Sequence, residues 1–171
     1  MQTDKNGNKI ENGEIPVAIE LSSLKINKED FTMTKGTSET LTVTGTPAEA
    51  LEGQTITWKS SNKDVVTVDS KGKVEAVGVG NATITATAAG KSDSVKITVN
   101  NPLKKITVDP ATLTLKKGTS KTLSVKYDPA DTTDNKAVTW ESSDKSVATV
   151  DANGKVTALK ERQRKQLLQG R

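Results

Sequence analysis

The chain contains the same stretch of sequence twice, at a fixed offset of 82 residues and without a gap. Of the 42 aligned positions in 35–76 and 117–158, 22 are identical, which is too many for two unrelated segments. A repeat of this length is large enough to form a core of its own, so each copy is predicted to be a domain rather than a unit of a solenoid. The sequence therefore predicts two domains of common ancestry in tandem.

Apolar and polar residues alternate along both copies, as they do in strands that bury one face. Leu41 and Val43, for example, are separated by Thr42. Val, Ile and Thr dominate these runs, and short turns separate them. Residues 69–72 are predicted to form a hairpin turn, because Gly72 can take a positive φ. Seven or eight short strands are predicted in the first copy, which is typical of an antiparallel β-sandwich.

The sequence contains no cysteine and no histidine. Disulfides, thiolate nucleophiles, imidazole bases and the usual zinc ligands are therefore excluded. Nothing in the sequence brings the carboxylates of Glu49 and Glu52 against a pocket, so we predict a protein that is not an enzyme and has no cofactor and no metal. Asp128, Asp131 and Asp134 crowd one predicted loop, and weak calcium binding is the alternative to their interpretation as solvated turn residues.

The second copy stops matching the first at Lys160. The first copy continues with two more predicted strands, at 80–88 and 94–99, whereas the second continues with the basic residues 160–171. That tail contains five basic residues and one acidic residue, Glu161. Its charge of +4 equals the whole formal net charge of the chain. Because the rest of the chain is neutral and lacks interleaved basic and aromatic residues, we predict no nucleic-acid binding.

The sequence thus predicts a flexible segment at 1–16, a complete domain at 17–100, an incomplete domain at 101–159 and a tail at 160–171. Burying a Val or Ile contributes about 1.5 to 3 kcal/mol, against a net stability of about 5 to 15 kcal/mol for a domain. We therefore expect the incomplete domain to be unstable alone, or to be completed by a strand from a partner or a second copy.

Two further hypotheses concern the tail. In the first, Leu167 and Leu168 cap the exposed sheet of the second domain. In the second, a change of reading frame at Lys160 has replaced the missing strands, which the nucleotide sequence across that codon tests.

Three motifs occur in both copies in the same order: Lys-Gly-Thr, Thr-Trp-x-Ser-Ser and Val-x-Thr-Val-Asp-x-x-Gly-Lys-Val. The first copy also contains Gly-Asn-Ala-Thr-Ile-Thr-Ala at 80–86. With these motifs, both copies resemble the bacterial immunoglobulin-like domain, group 2, over about residues 19–159. The resemblance implies two tandem immunoglobulin-like antiparallel β-sandwiches, the second lacking its last two strands, and it carries no catalytic residues.

In such a sandwich the tryptophan that both copies share occupies a core position. Stacking of a sugar on this aromatic ring is the alternative role. The predicted core residues are Trp58, Trp140, Leu41, Val43, Val68, Val74, Leu123, Val125, Val150 and Val156.

The resembled family consists of display, spacer and adhesion modules on bacterial surface proteins, and of accessory domains on phage tail and head proteins. The resemblance implies a non-catalytic module on the extracellular surface of a virion or a bacterial cell. The alternative is a noncatalytic appendage of a secreted carbohydrate-active enzyme.

The partners that we expect are cell-surface polysaccharide or other virion and surface proteins, because a surface rich in Thr, Ser, Lys and Asp suits weak multivalent contact. No signal peptide is visible in residues 1–9. We expect no membrane insertion, since the sequence has no apolar run long enough to span a bilayer.

Overall fold

The structure is a computed structural model that describes residues 19–161. The chain divides into two compact units, the first ending at Asn100 and the second beginning at Asn101. Within 19–161 both units are built from strands and contain no α-helix, which confirms the all-β prediction. The segment predicted to be flexible at 1–16, and Leu167 and Leu168 of the tail, lie outside the described residues.

Residues 19–100, called unit 1 below, form nine strands rather than the seven or eight predicted. The strands are β1 (Ser23–Ile26), β2 (Phe31–Thr34), β3 (Ser38–Thr40), β4 (Val43–Thr46), β5 (Thr57–Ser60), β6 (Val66–Val68), β7 (Lys73–Ala76), β8 (Gly80–Ala88) and β9 (Lys91–Asn100), with a short 3-10 helix at Ala48–Leu51. The number is higher because β3 and β4, which flank Leu41, join different sheets.

Unit 1 contains a four-stranded sheet in the order β2-β9-β8-β5, a three-stranded sheet β3-β7-β6 and the pair β1-β4. β2 runs parallel to β9, and the other pairs are antiparallel. The longest pairing is the β8–β9 hairpin, which runs from Gly80 opposite Val99 to Ala88 opposite Lys91.

The turn of this hairpin consists of Ala89 and Gly90, which have φ angles of 46° and 75°. Positive φ at both central residues is the geometry of a type I′ turn, whose twist matches that of the flanking strands. The last strand was predicted to begin at residue 94, and it begins at Lys91 instead.

One cluster of buried apolar side chains joins the sheets of unit 1. β8 and β9 contribute every second residue to it, because successive side chains of a strand point to opposite faces. The cluster consists of Leu21, Leu24, Ile26, Met33, Leu41, Ala50, Val65, Val66, Val74, Ala76, Ala82, Ile84, Ala86, Ala88, Val95, Ile97 and Val99. Of the predicted core residues, Leu41 and Val74 belong to it, and Val43, Trp58 and Val68 are partly buried against it.

Residues 101–161, called unit 2, form five strands: β10 (Lys105–Asp109), β11 (Ser120–Thr122), β12 (Ser124–Asp128), β13 (Ala148–Val150) and β14 (Lys155–Ala158). β10 pairs with β12, and β11-β14-β13 form a three-stranded sheet. At the offset of the repeat these strands correspond to β1, β3, β4, β6 and β7, and they pair in the same way.

Unit 2, as far as residue 161, has no counterpart of the four-stranded sheet. Residues 113–116 and 139–142, which correspond to β2 and β5, do not form strands. In unit 1, β2 pairs with β9 and β5 pairs with β8. The described residues end before the positions that correspond to β8 and β9, and the two segments that would pair with those strands form no ladder.

A hairpin glycine in each unit lies where a side chain has no room. Gly72 has a φ of +80°, as predicted for this turn, and a Cβ there would lie 2.4 Å from the carbonyl oxygen of Leu41 and 2.9 Å from Cζ2 of Trp58. Gly154 has a φ of +77°, and a Cβ there would lie 2.9 Å from Cε2 of Trp140. Both tryptophans therefore pack over the glycine of the hairpin in the same way.

We expect Gly72→Ala to destabilise unit 1 by more than Gly36→Ala does. Both glycines have a positive φ, so both substitutions incur about 1 to 2 kcal/mol of backbone strain. A Cβ at Gly36 meets nothing within 4 Å, whereas at Gly72 it meets Leu41 and Trp58. Urea unfolding, followed by amide exchange at residues of unit 1, measures the difference, and equal losses would contradict the expectation.

Asp93 ties β9 to β1, which belongs to another sheet. Its Oδ2 accepts a hydrogen bond from the backbone N–H of Ile26 at 2.7 Å, and Nζ of Lys25 lies 4.0 Å from the same oxygen. The hydrogen bond from Ile26 lowers the pKa of Asp93 below its usual value, with further lowering from the backbone N–H of Ser94 and the charge of Lys25.

A carboxylate with a lowered pKa in the folded state stabilises the fold above its unfolded pKa, and this contribution is lost as the pH falls through the folded pKa. The contribution of Asp93 to the stability of unit 1 should therefore decline below about pH 4. Asp93→Asn should lower the urea midpoint of unfolding at neutral pH, and the midpoint of the variant should fall less than that of the wild type when the pH is lowered. The exposed Glu52 provides the control, Glu52→Gln, which should leave the profile unchanged. A profile of the Asp93 variant that parallels the wild type would contradict this role.

Candidate functional site

The outward side of the four-stranded sheet carries short polar side chains, and we call it the threonine face. Thr83, Thr85 and Thr87 of β8 alternate with buried residues and therefore point outward. The neighbouring strands place similar residues opposite them, such as Thr57 opposite Thr87 and Ser94 opposite Thr85. The face comprises Thr32, Thr57, Lys59, Asn81, Thr83, Thr85, Thr87, Ser92, Ser94, Lys96 and Thr98.

Hydrogen bonds between strands order part of this face. The hydroxyl oxygens of Thr85 and Ser94 lie 2.9 Å apart, and the hydroxyl of Thr98 donates to Oδ1 of Asn81 at 2.8 Å. A hydroxyl that donates one bond still has free lone pairs, so these groups can also accept hydrogen bonds from a ligand. The face therefore offers ordered donors and acceptors to a polymer rich in hydroxyl groups.

The second candidate surface is a groove of about 760 Å³ in unit 2, which we call the open groove. Most of its lining is apolar, and its rim carries Lys116, Lys160 and Glu161. The apolar lining residues are Leu113, Leu115, Leu123, Val147, Ala148, Val156 and Ala158.

Comparison with unit 1 shows how far the apolar residues of unit 2 are uncovered. Val147 is 36% exposed, whereas its counterpart Val65 is 7% exposed. Ile106, outside the groove, is 51% exposed, whereas its counterpart Leu24 is 6% exposed. Among the apolar side chains of residues 101–161, Ala158 is the one that is buried, with 8% of its surface exposed.

The open groove corresponds to the place that the β8–β9 hairpin fills in unit 1. Leu113 is the counterpart of Phe31, which lies opposite Ile97 of β9. Trp140 is the counterpart of Trp58, which lies opposite Ala86 of β8. The missing hairpin therefore accounts for the lower burial of Leu123 and Val156, whose counterparts Leu41 and Val74 are fully buried. Trp58, Val43 and Val68 are only partly buried even with the hairpin in place. Trp140, Leu123, Val125, Val150 and Val156 are all half-buried.

The tryptophans do not belong to the threonine face. Trp58 alternates along β5 with the exposed Thr57 and Lys59, and its ring packs against the core of unit 1. Trp140 is half-buried and lines a depression of about 290 Å³ together with Glu141 and other residues of unit 2. The ring of Trp58 therefore lies on the side of the sheet opposite the hydroxyl groups of the threonine face.

The aspartates considered as calcium ligands organise a loop of unit 2 instead. The side-chain amide of Asn101 donates to Oδ1 of Asp131 at 2.7 Å, and the backbone N–H of Leu103 donates to Oδ2 of Asp134 at 2.8 Å. Over residues 19–161 no group of three or more acidic side chains is arranged to hold a metal ion. No helix in the same part of the chain has the length and apolar character needed to cross a membrane.

The family model of the bacterial Ig-like domain (group 2) matches residues 21–99 and 102–163. The chain belongs to this family. The membership confirms the resemblance that the repeated motifs indicate. Bacterial Ig-like domains of group 2 are non-catalytic β-sandwich domains, which agrees with the two units seen here.

Three relatives of different kinds match all or part of this region of the chain. Ice-binding protein 1 of Shewanella frigidimarina is 32% identical over 141 residues, which cover 78% of this chain and 16% of that protein. Lacto-N-biosidase of Bifidobacterium bifidum is 50% identical over 70 residues, which cover 40% of this chain and 6% of the enzyme. The minor capsid protein of Enterobacteria phage T3 is 39% identical over 80 residues, which cover 46% of this chain and 18% of that protein. The matched segments thus span less than a fifth of each relative.

The same core position can be compared in the two units through Val74→Ala and Val156→Ala. Val74 is fully buried, whereas Val156 is half-buried at the open groove. We expect Val74→Ala to lower the free energy of unfolding of unit 1 by about 2 kcal/mol, and Val156→Ala to lower that of unit 2 by less than half as much. The loss is proportional to the apolar contact that the truncation removes. Amide exchange read separately in each unit measures both losses. Equal losses would show that Val156 is covered in solution.

Proposed function

We propose that this chain is a non-catalytic surface module for adhesion, display or spacing on a phage virion or a bacterial cell. The observation that carries the proposal is the threonine face, a broad polar surface held by a rigid four-stranded sheet. It offers hydrogen bonds to a polysaccharide or to another surface protein, and it carries no carboxylate that could act as a general acid or base.

The threonine face suits weak contact that is strengthened by repetition. A hydrogen bond to a neutral group contributes about 0.5 to 1.5 kcal/mol net, so a few such bonds give low affinity. When many copies are tethered to one particle, the later contacts become intramolecular and the overall binding is much tighter. A module of this kind therefore works on a virion or a cell surface, where many copies are displayed together.

The relatives support two settings for such a module. The likeness to a minor capsid protein favours a virion. The likeness to lacto-N-biosidase favours the second candidate, a noncatalytic appendage of a secreted carbohydrate-active enzyme. Neighbouring genes distinguish them, since tail or capsid genes accompany the first and a glycosidase domain in the same reading frame accompanies the second.

Binding of the chain to an array of glycans and bacterial polysaccharides tests the proposed contact. We expect weak binding that becomes at least tenfold weaker in the triple variant Thr57→Ala, Thr85→Ala and Thr87→Ala, because these hydroxyls lie on the threonine face. The matched control is Thr40→Ala in β3, an exposed threonine on another sheet.

Equal binding by the triple variant and the control would exclude the threonine face as the contact surface. If no polysaccharide binds the wild-type chain, adhesion to polysaccharide is excluded, and contact with another surface protein and the spacing role are retained.

A further inference from the structure

We propose that the open groove of unit 2 binds a β-hairpin from another polypeptide, which takes the place that β8 and β9 take in unit 1. The partner is thus defined by its chemistry: two adjacent strands with small and β-branched side chains on one face. This interaction is separate from the threonine face, which lies on unit 1.

The backbone of unit 2 offers pairing positions on both sides of the groove. In unit 1, β2 receives a parallel neighbour and β5 an antiparallel one, and the two neighbours are the strands of a single hairpin. The corresponding residues 113–116 and 139–142 have no ladder partner within the described chain. Added strands would pair these backbone groups, as strand addition does in other recognition by sheets.

The repeat also specifies the side chains that the groove accepts. β8 turns Ala82, Ile84, Ala86 and Ala88 into the core of unit 1, and Ala86 lies opposite Trp58. Because unit 2 has a tryptophan at the same position, its hairpin needs a small residue there. β9 turns Val95, Ile97 and Val99 inward beside Phe31 and Met33. The strand that lies beside Leu113 and Leu115 should therefore carry β-branched residues at alternate positions.

Residues 162–171 do not have the pattern of such a hairpin. They lack the alternating apolar positions of β8 and β9. They are also strongly basic, with four of their ten residues being Lys or Arg.

A second copy of the chain is also a poor donor. Its β8 and β9 already fill unit 1, where Ile84 and Ile97 are fully buried. Moving them into unit 2 of a neighbour would uncover as many apolar residues as it covers, so the exchange gains no burial. A donor hairpin that is not part of a folded domain of its own gains the full burial.

The chain carries a suitable probe in its own sequence. A synthetic peptide of residues 80–100 should bind the full chain in a one-to-one complex. Amide protection at 113–116 and 139–142 should rise at least tenfold at saturation, while unit 1 is unchanged. A peptide with Ile84→Asp and Ile97→Asp should bind at least tenfold more weakly, because both side chains point into the groove.

The groove itself is tested by Val147→Asp, because Val147 lines it. Val147 is already 36% exposed, so we expect its substitution to leave the fold intact. This variant should bind the peptide at least tenfold more weakly. The matched control, Thr122→Asp, changes an exposed residue of β11 that does not line the groove and should bind like the wild type.

Three outcomes would overturn the proposal. The first is that the peptide fails to bind, or that both peptides bind equally. The second is that the chain forms a dimer in which residues 113–116 are protected and which the peptide does not dissociate, so that a second copy is the occupant. The third is that the peptide binds only after residues 162–171 are removed, so that the tail is the occupant.

Discussion

The pairing of one hairpin with two flanking strands supports most of this fold. β8 and β9 are the inner strands of the four-stranded sheet, and they hold β2 on one side and β5 on the other. Their inward residues include Ile84, Val95, Ile97 and Val99, which are among the most deeply buried side chains of unit 1. Without this hairpin, the counterparts of β2 and β5 in unit 2 are not strands at all. Burial and hydrogen bonding are therefore lost together when it is absent.

The two candidate surfaces follow from the same hairpin. Its outward residues form the middle of the threonine face in unit 1, and the space that it would occupy is the open groove in unit 2. Unit 1 thus presents a complete sheet with a polar outer face, and unit 2 presents an apolar groove where that sheet is incomplete. Because the two surfaces differ in chemistry, they suit different partners: a polymer rich in hydroxyl groups on one, and an added pair of strands on the other.

Much of the strand pattern was predictable, and the exceptions have physical causes. Alternation predicts the buried face of β8, and the need for a positive φ predicts the turn at Gly72. Alternation does not predict that the run around Leu41 is divided between two sheets. The division depends on a hydrogen bond from the backbone N–H of Leu41 to the carbonyl of Gly72, 31 positions away. The start of β9 was predicted three residues too late, because the two-residue turn requires a positive φ at Ala89 that alanine rarely adopts.

The sequence by itself determined that two related β-modules lie in tandem, that they lack cysteine and histidine chemistry, and that the second copy stops matching the first at Lys160. These are properties of residue identity and spacing. Only the tertiary structure decided which side chains are covered. Val65 and Val147 occupy the same position of the repeat, yet one is buried and the other exposed. Burial depends on strands that are distant along the chain, and those strands are present for one copy and absent for the other within the described residues.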